Sequence, residues 1–354
     1  MIKYLGSKRK LIPDILRVIK TLSPSGSALD LFSGTARVGH ALKRAGYQVT
    51  ANDHNTYAHK LAQCYVQADA ARWLNAAQHV IAELNRIPGQ PGYFTRTFCE
   101  SSRFFQPHNG ARVDAMREAI ASMNLPEELE AVVLISLMEA ADRVDSTVGL
   151  QMAYLKQWAK RSYGHLELRV PEILPGPGRA LCQDATAAAA SGTYDIAYLD
   201  PPYNQHKYRN NYHIWETLVR WDQPEVYGVA CKRADCQEYR SAFNSKRNIG
   251  GAFADLVDRI DARFVLVSFS DDGYLSKDDI LAVLGTGGAE VCALDFAYDR
   301  HVGARIGIYN LNGIVTGSPG RTKNIETLFV ADRSRSGIVR RLGDAYQLSL
   351  PFAS

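Results

Sequence analysis

The chain has nothing with which to build a disulfide framework. Its six cysteines, Cys64, Cys99, Cys182, Cys231, Cys236 and Cys292, are scattered, with no C-x-x-C pair and no nearby histidine spacing. That pattern disfavours a zinc site and predicts reduced thiols in a cytoplasmic protein that binds no metal. No apolar run approaches the ~18 residues a membrane helix needs. The opening "MIKYLGSKRKL" lacks the apolar stretch of a secretory signal, so no membrane partner is expected. Internal repeats and low-complexity tracts are missing too. Charge is nearly balanced at +4, which permits a local nucleic-acid-binding patch without arguing for one. What remains is 354 residues, 46% hydrophobic and 22% charged, enough for one large globular domain or two ordinary ones.

Residues 28–34, "ALDLFSG", read as a short buried strand running into a turn. "TARVGHALKRAG" has helical spacing and ends at Gly46, a C-cap candidate, and "YQVTAND" gives a second strand ending at Asp53. This strand–turn–helix–strand unit opens a parallel α/β sheet. Further strand patterns fall only at "YDIAYLD" (194–200), "RFVLVSFS" (263–270) and "AEVCALDFAY" (289–298). Between the two groups, from about Ala68 to Arg169, the spacing is helical. Trp73, Ala77, Val80, Ile81 and Leu84 form one stripe, and Val113, Met116, Ile120 and Met123 form another. "LPEELEAVVLISLMEAADRV" is apolar around enough of its circumference to be a buried helix, with Pro126 near its start. The proline-rich "ELRVPEILPGPGRAL" (167–181) leads back to the sheet. The expectation is one α/β domain, residues 1–67 and 172–354, interrupted by a mainly helical insertion, 68–171.

Ligands of such sheets bind beyond the C-terminal strand ends, where a glycine turn before a helix lets a nucleoside approach the backbone. "DLFSGTARVG" stands at such a point. Asp53 lies where a carboxylate can accept from both hydroxyls of a ribose. Gly34 and Gly39 match a loose nucleotide fingerprint, with Ala36 where a second loop glycine often stands. An alanine fits there if its φ is negative. A phosphate-binding P-loop is excluded, because no Gly-Lys-Ser/Thr follows.

The strand at 194–199 ends in Asp200-Pro201-Pro202-Tyr203. Two prolines fix the backbone as extended and donate no main-chain hydrogen bond. The Asp200 carboxylate and the Pro201 carbonyl are then two fixed acceptors, matching the two hydrogens of an exocyclic amino group on a base. That nitrogen is a poor nucleophile because its lone pair is conjugated into the ring. Two acceptors pulling on its hydrogens favour a pyramidal nitrogen and free the lone pair for an incoming methyl group. Tyr203 is placed to stack on the base, a contact worth ~1–3 kcal/mol. Asp200 orients the amino group and stabilises the positive charge that develops on it. No general base is required, so His206 and His213 are not expected to be catalytic.

At this point the sequence resembles the adenine-specific DNA methyltransferases of restriction–modification systems, in the branch that includes the FokI-type modification enzyme. The resemblance runs along most of the chain: "KYLGSKRKL" (3–11), "LDLFSGTARVG", "ANDHN", "CQDA" and "DPPY", then "NNYHIWETLVRWDQPEVYG", "RSAFNSK", "VLVSFSDDGY" and "RTKNIETLFV". It implies a Rossmann-like S-adenosylmethionine-dependent methyltransferase fold in the alpha arrangement, with cofactor loop, insertion and catalytic motif in that order. By the same resemblance, Tyr4 and Lys8 lie near the methionine part of the cofactor, Asp30 near its amino group and Phe32 in the pocket wall. Asp53 takes the ribose and Asp184 the cofactor's adenine.

An enzyme that modifies a base inside a duplex must rotate it out of the stack and read its neighbours. By resemblance the insertion carries that recognition. Within it, "RFFQPHNGAR" offers Arg103, Asn109 and Arg112 for base edges or phosphates, while Lys207 and Arg209 follow the catalytic motif closely enough to flank the flipped nucleotide. The expected partner is double-stranded DNA, acted on by a monomer, with a cognate endonuclease as a companion. Two alternatives stay open on the sequence: an RNA adenine or guanine methyltransferase, and a catalytically silent DNA-binding protein of this fold.

Overall fold

A computed structural model describes residues 1–205, 208–238, 240–299 and 323–349. The first elements are α1 (Ile12–Leu22), β1 (Ser27–Asp30), α2 (Arg37–Arg44), β2 (Gln48–Asn52) and α3 (Thr56–Ala62). The helical stretch contains α4 (Ala70–Leu84), α5 (Tyr93–Thr95), α6 (Pro107–Ser122) and α7 (Glu127–Arg143). After it come β3 (Arg179–Leu181), α8 (Ala185–Ala189), β4 (Thr193–Leu199), α9 (Tyr208–Asn211), α10 (His213–Arg220) and the small hairpin of β5 (Val226–Tyr227) and β6 (Lys232–Arg233). The remainder is α11 (Ile249–Arg259), β7 (Asp261–Ser270), α12 (Lys277–Leu284), β8 (Glu290–Asp299), β9 (Lys323–Asp332) and α13 (Ile338–Ser349). None of the described helices is long and apolar enough to cross a membrane. All six cysteines are free thiols.

The chain divides into two compact units. The first comprises Met1–Ile12, Ser25–Ser191 and His206–Arg240, and the second Pro13–Pro24, Gly192–Gln205 and Ser241–Ser354. In the first, β1, β2 and β3 are parallel, with Ala28 opposite Val49 and Ala51 opposite Ala180. α2 packs on β1 and β2, and α3 on β2 and β3. The end of α2 shows why the sequence folds as it does. Gly46 has φ +92°, its amide bonds to the Lys43 carbonyl at 3.0 Å, and the Tyr47 amide reaches the Leu42 carbonyl at 3.1 Å. Those two bonds cap the helix and aim the chain into β2, and glycine adopts the left-handed turn without Cβ strain.

The second unit carries β4 and β7 in parallel, then β9 and β8 antiparallel, in the order β4-β7-β9-β8. α12 and α13 pack on β8 and β9. This strand-loop-helix-strand architecture is a Rossmann-like α/β fold. Two strands carry no clear sequence pattern. β3 is only three residues long, and β9 holds the buried Glu326, whose carboxylate accepts from the Ser268 hydroxyl across the sheet.

The helical stretch shares the first unit with β1–β3, where α7 packs against α3, α4, α6 and α10. Val132, Leu134, Ile135, Leu137 and Met138 of α7 are all buried, as the all-round apolar pattern requires. α6 is built differently. Beside its apolar stripe of Val113, Met116 and Ile120, it buries three polar residues, Asn109, Asp114 and Arg117, with Arg112 half-buried beside them. Each grips a distant stretch of backbone, and Arg117 donates to the Leu218 and Val219 carbonyls at 2.9 and 3.0 Å, tying α6 to the end of α10.

Candidate functional site

The first unit collects the cofactor-type residues around the β1–α2 loop. Asp30, buried at the end of β1, accepts the Gly39 amide at 2.8 Å through Oδ2, in the first turn of α2 where a carboxylate is favoured. Phe32 is half-buried in the loop. Gly34 has φ +50°, and its amide donates to Asp53 Oδ2 at 3.1 Å. Asp53 Oδ1 accepts from the Asn55 amide and side chain at 2.9 and 3.0 Å. A carboxylate offers about four lone-pair sites, so Asp53 retains capacity for hydroxyl donors while fastening the loop.

Ala36 departs from the expected negative φ. It is fully buried and left-handed at φ +57°, closing the turn with its amide on the Ser33 carbonyl at 2.7 Å. The turn dictates this conformation, and the methyl group makes it costly. Ala36→Gly is therefore expected to raise stability by about 1 kcal/mol, read as a higher urea midpoint at constant slope.

Tyr4 lies against the glycine loop, with a Cβ at Gly34 coming within 3.3 Å of its ring. It stacks on Tyr212 with ring centroids 4.5 Å apart and on Tyr208 at 5.3 Å, and its hydroxyl is 3.2 Å from that of Tyr57. Burial, then the charges and phenols around them, push Tyr4 and Tyr57 well above the usual tyrosine range, so both rings stay neutral. Lys8 is buried in a short helical turn. Asp184 is exposed and caps α8, accepting the Thr186 amide at 2.9 Å.

One site residue carried no sequence signal beyond a polar residue at a strand end. Asn52, buried at the end of β2, donates to the Leu31 and Gln183 carbonyls and accepts the Gln183 amide, each at 3.2 Å. It holds the ends of β1, β2 and β3 in register. Around the same loops, Ser7 Oγ, Ser33 Oγ and Asn55 Oδ1 are buried without a hydrogen-bond partner. Orphaned buried polar atoms are costly and rare. Ser33 precedes Gly34 and Asn55 bonds to Asp53, so two of these atoms adjoin the tethered Asp53 carboxylate and fit a polar ligand with amino and hydroxyl donors.

The second unit places the Asp-Pro-Pro-Tyr turn at the end of β4. Asp200, Pro202 and Tyr203 are half-buried and Pro201 is buried. The Tyr203 ring meets Phe269 at 5.0 Å with a 49° tilt. The Tyr203 carbonyl accepts the Tyr274 amide at 2.9 Å, and the Asn204 carbonyl accepts Asn244 Nδ2 at 2.7 Å. Gly273 is indispensable here, because a Cβ would stand 2.2 Å from Phe269 Cε1. "VLVSFSDDGY" and "RSAFNSK" thus supply the brace that sets the motif.

His213 is buried, with Nε2 2.9 Å from the Gln151 carbonyl, and burial lowers its pKa to about 4. It is a neutral structural imidazole. His206 and Lys207 lie outside the described residues. Arg209 is within 3.9 Å of Glu216 and 3.8 Å of Asp235.

In the helical stretch, Arg103 is half-buried, donates to the Lys156 carbonyl at 3.0 Å, and lies over the Trp158 ring at 4.8 Å. Asn109 is 0% exposed, and its amide is used up on the Ser162 and Gly164 carbonyls and the Leu166 amide. Arg112 donates to the Leu166, Ile87 and Asn85 carbonyls at 3.0, 3.2 and 3.1 Å. Asn109 therefore shapes the surface from beneath it, without presenting an edge of its own.

Residues 4–279 match the family model described as D12 class N6 adenine-specific DNA methyltransferase. The chain is 31% identical over 307 residues to the type II methyltransferase M.FokI of Planomicrobium okeanokoites, covering 81% of this chain and 47% of that protein. It is 27% identical over 300 residues to the modification methylase StsI of Streptococcus sanguinis, covering 80% and 46%. To the type II methyltransferase M.NlaIII of Neisseria lactamica it is 29% identical over 295 residues, covering 78% and 86%. The chain thus spans about half the length of the first two relatives and most of the third.

Proposed function

We propose that this chain, which belongs to the D12 class N6 adenine-specific DNA methyltransferases, transfers a methyl group from S-adenosylmethionine to the exocyclic amino group of a flipped-out adenine in double-stranded DNA. The observation that carries this reading is the braced turn at the end of β4, where Asp200 and Tyr203 stand half-buried, Phe269 meets the Tyr203 ring, and Tyr274 and Asn244 hold the backbone. Asp200 and the Pro201 carbonyl accept the two amino hydrogens, and Tyr203 stacks on the base. The nitrogen lone pair forms a bond to the methyl carbon as the carbon–sulfur bond breaks. The departing pair leaves a neutral sulfide, and the extra proton on nitrogen goes to water.

The cofactor supplies an electrophilic methyl on a sulfonium. Tyr4, held neutral and stacked on Tyr208 and Tyr212, borders the methionine part beside the glycine loop. Lys8 and Phe32 border the methionine part, Asp30 takes its amino group, Asp53 the ribose hydroxyls and Asp184 the adenine. Residues 68–171 act in target recognition, with Arg103 on phosphates or base edges and Asn109 and Arg112 setting the shape of that surface, while Lys207 and Arg209, after the catalytic motif, flank the phosphates of the flipped nucleotide. The protein acts as a monomer in the cytoplasm, accompanied by a cognate restriction endonuclease.

Asp53→Ala removes both the ribose acceptor and the tether to Gly34. The apparent KM for S-adenosylmethionine should rise by about tenfold or more, with kcat changed far less. An unchanged KM would sink the ribose assignment. The reaction itself is tested by incubating the protein with S-adenosylmethionine and duplex DNA, single-stranded DNA or RNA, then digesting to nucleosides for mass spectrometry. N6-methyladenine in the duplex alone is the expected product. Methylated RNA with clean DNA would replace this reading with an RNA one.

A further inference from the structure

Asn109 and Arg112 together build a pocket in the helical stretch. The Asn109 side chain holds the Ser162 and Gly164 carbonyls at 3.2 and 2.8 Å and the Leu166 amide at 2.9 Å. Arg112 ties Leu166 on one side to Asn85 and Ile87 on the other, through its three nitrogens. The Gln90 amide adds a bond to the Ala111 carbonyl at 2.9 Å, and a Cβ at Gly89 would stand 3.2 Å from that of Ala111. Two loops are thereby fastened to the first turns of α6. They border an open cavity of about 430 Å³ lined by Gly89, His108, Ala111, Arg112, Tyr163 and His165. Small-ligand sites span ~300–1,000 Å³.

The lining is aromatic and polar. Tyr163 is 62% exposed, and the His108 and His165 rings meet edge to face with centroids 5.8 Å apart. Ser162 and Leu166, on either side of Tyr163 and His165, are buried, so these rings are presented from a fixed backbone.

That chemistry narrows the occupant. Among the described residues no carboxylate lines the cavity, so a cation finds no counter-charge. Ala111 is the only hydrocarbon side chain there, which leaves an apolar ligand without a wall. Each nitrogen of Arg112 is committed to a carbonyl, so the cavity offers a free phosphate no open fork. Three rings remain, with donors and acceptors at their edges. They match a nucleobase, which stacks on aromatic faces and bonds at its rim. A base inside a duplex shows only its edges in the grooves, its faces being covered by its neighbours. The occupant is therefore an unstacked base.

A nucleotide also brings phosphate. Arg86 lies between the two residues that Arg112 holds, and Lys160 opens the turn that carries Tyr163. Both are exposed, and no ion pair among the described residues takes up either. The other charges nearby in the chain are engaged, Arg161 with Asp145 at 2.7 Å and Glu167 with Arg169 at 3.5 Å. Each wall thus supplies one cation for a nucleic-acid backbone.

We infer that the pocket receives a second unstacked nucleotide of the target duplex, distinct from the methylated adenine. This rests on the adenine-methylating reading above, in which Asp200 and the Pro201 carbonyl take the adenine. Neither of those residues lines the pocket. Stacking on Tyr163 and the imidazoles offsets the loss of the base's own stack and fixes the register of the helical stretch on the DNA.

The test measures, by fluorescence anisotropy, binding of wild type and Tyr163→Ala/His165→Ala to duplexes carrying the methylated motif. One duplex is fully paired, and each of the others has a mismatch at a single position. Wild type should bind about fivefold or more tightly when the mismatch falls at one position besides the target adenine, because that base is already loosened. The double variant should bind the paired duplex about tenfold or more weakly and lose the gain at that position. Its S-adenosylmethionine affinity and thermal midpoint should match wild type, since both side chains are exposed. 5-Iododeoxyuridine at that position should photocrosslink to His108, Tyr163 or His165, and the strand that crosslinks names the source of the nucleotide. Absence of any second position with a gain, a gain that survives in the variant, or no crosslink from either strand would overturn the pocket. So would an equal loss on every duplex, which would make these rings an ordinary surface contact. A wild-type protein that methylates no duplex at all would instead bring down the adenine-methylation reading, and the second nucleotide with it.

Discussion

Asp200→Ala should abolish methyl transfer, lowering kcat by about a thousandfold or more while leaving S-adenosylmethionine affinity within about twofold of wild type. The expectation follows from where the carboxylate stands. It begins the turn after β4, in the unit that carries β7 and its brace, whereas Asp30, Asp53 and Asp184 belong to the unit built on β1–β3. On the proposed reaction, its removal would leave one amino hydrogen of the base without its acceptor and would take away the negative charge that meets the cation forming on nitrogen. Asp200→Asn makes the complementary point, since it keeps the shape but offers a neutral oxygen, and it should lie between alanine and wild type. Single-turnover methylation gives kcat, and calorimetry gives the cofactor affinity. Loss of cofactor binding in Asp200→Ala would show that the residue belongs to the cofactor pocket.

The other large effect concerns stability. Asp114 is buried in α6 and accepts four hydrogen bonds: from the Phe94 amide at 2.8 Å, the Gly92 amide at 2.8 Å, the Thr95 amide at 2.9 Å and the Thr95 hydroxyl at 2.6 Å. One carboxylate on α6 thereby satisfies the open amides at the start of α5, 19 to 22 positions back in the chain. Asp114→Ala strands those donors in the interior, beside the fully buried Phe94 and Phe98. The expected cost is about 4 kcal/mol, since each bond to a charged acceptor contributes ~1.5–3 kcal/mol net and the stretch relaxes in part once the carboxylate is gone. Urea unfolding followed by tryptophan fluorescence reads it directly. A loss below about 1 kcal/mol would mean that water reaches the α5 amides and that α6 is not the polar axle of the helical stretch.

Asp114 also shows what a sequence conceals. Its neighbours Val113, Met116 and Ile120 announce a helix with an apolar stripe, but nothing in "RVDAMREAI" says that the aspartate points inward. The same holds for Asn109 and Arg112. In isolation they suggest base or phosphate contacts, yet their partners are main-chain carbonyls and amides far along the chain, as with Leu166 for both. Hydrogen bonds of that range leave no local period.

Local features were legible where the chain's own covalent limits dictate the outcome. Gly46 caps α2 because the turn needs a left-handed residue, and Asp200-Pro201-Pro202-Tyr203 ends β4 because two prolines cannot continue a ladder. β9 was not legible. Its Thr327 and Glu326 are both buried, Thr327 bonding through its hydroxyl to Asp295 and Glu326 satisfied by Ser268, so polarity along the strand follows cross-strand partners and not exposure. Ala36 shows the reverse case, in which a local rule about φ yields to the closure of a tight, buried turn.

The most direct test of adenine methylation in DNA is to express the protein in a host lacking its own adenine methylation and sequence the host DNA with long reads that register modified bases. One enriched motif carrying methylated adenine is the predicted result, with Asp200→Ala leaving the same motif unmodified. Unmodified DNA, from cells containing folded protein that binds S-adenosylmethionine, would contradict it.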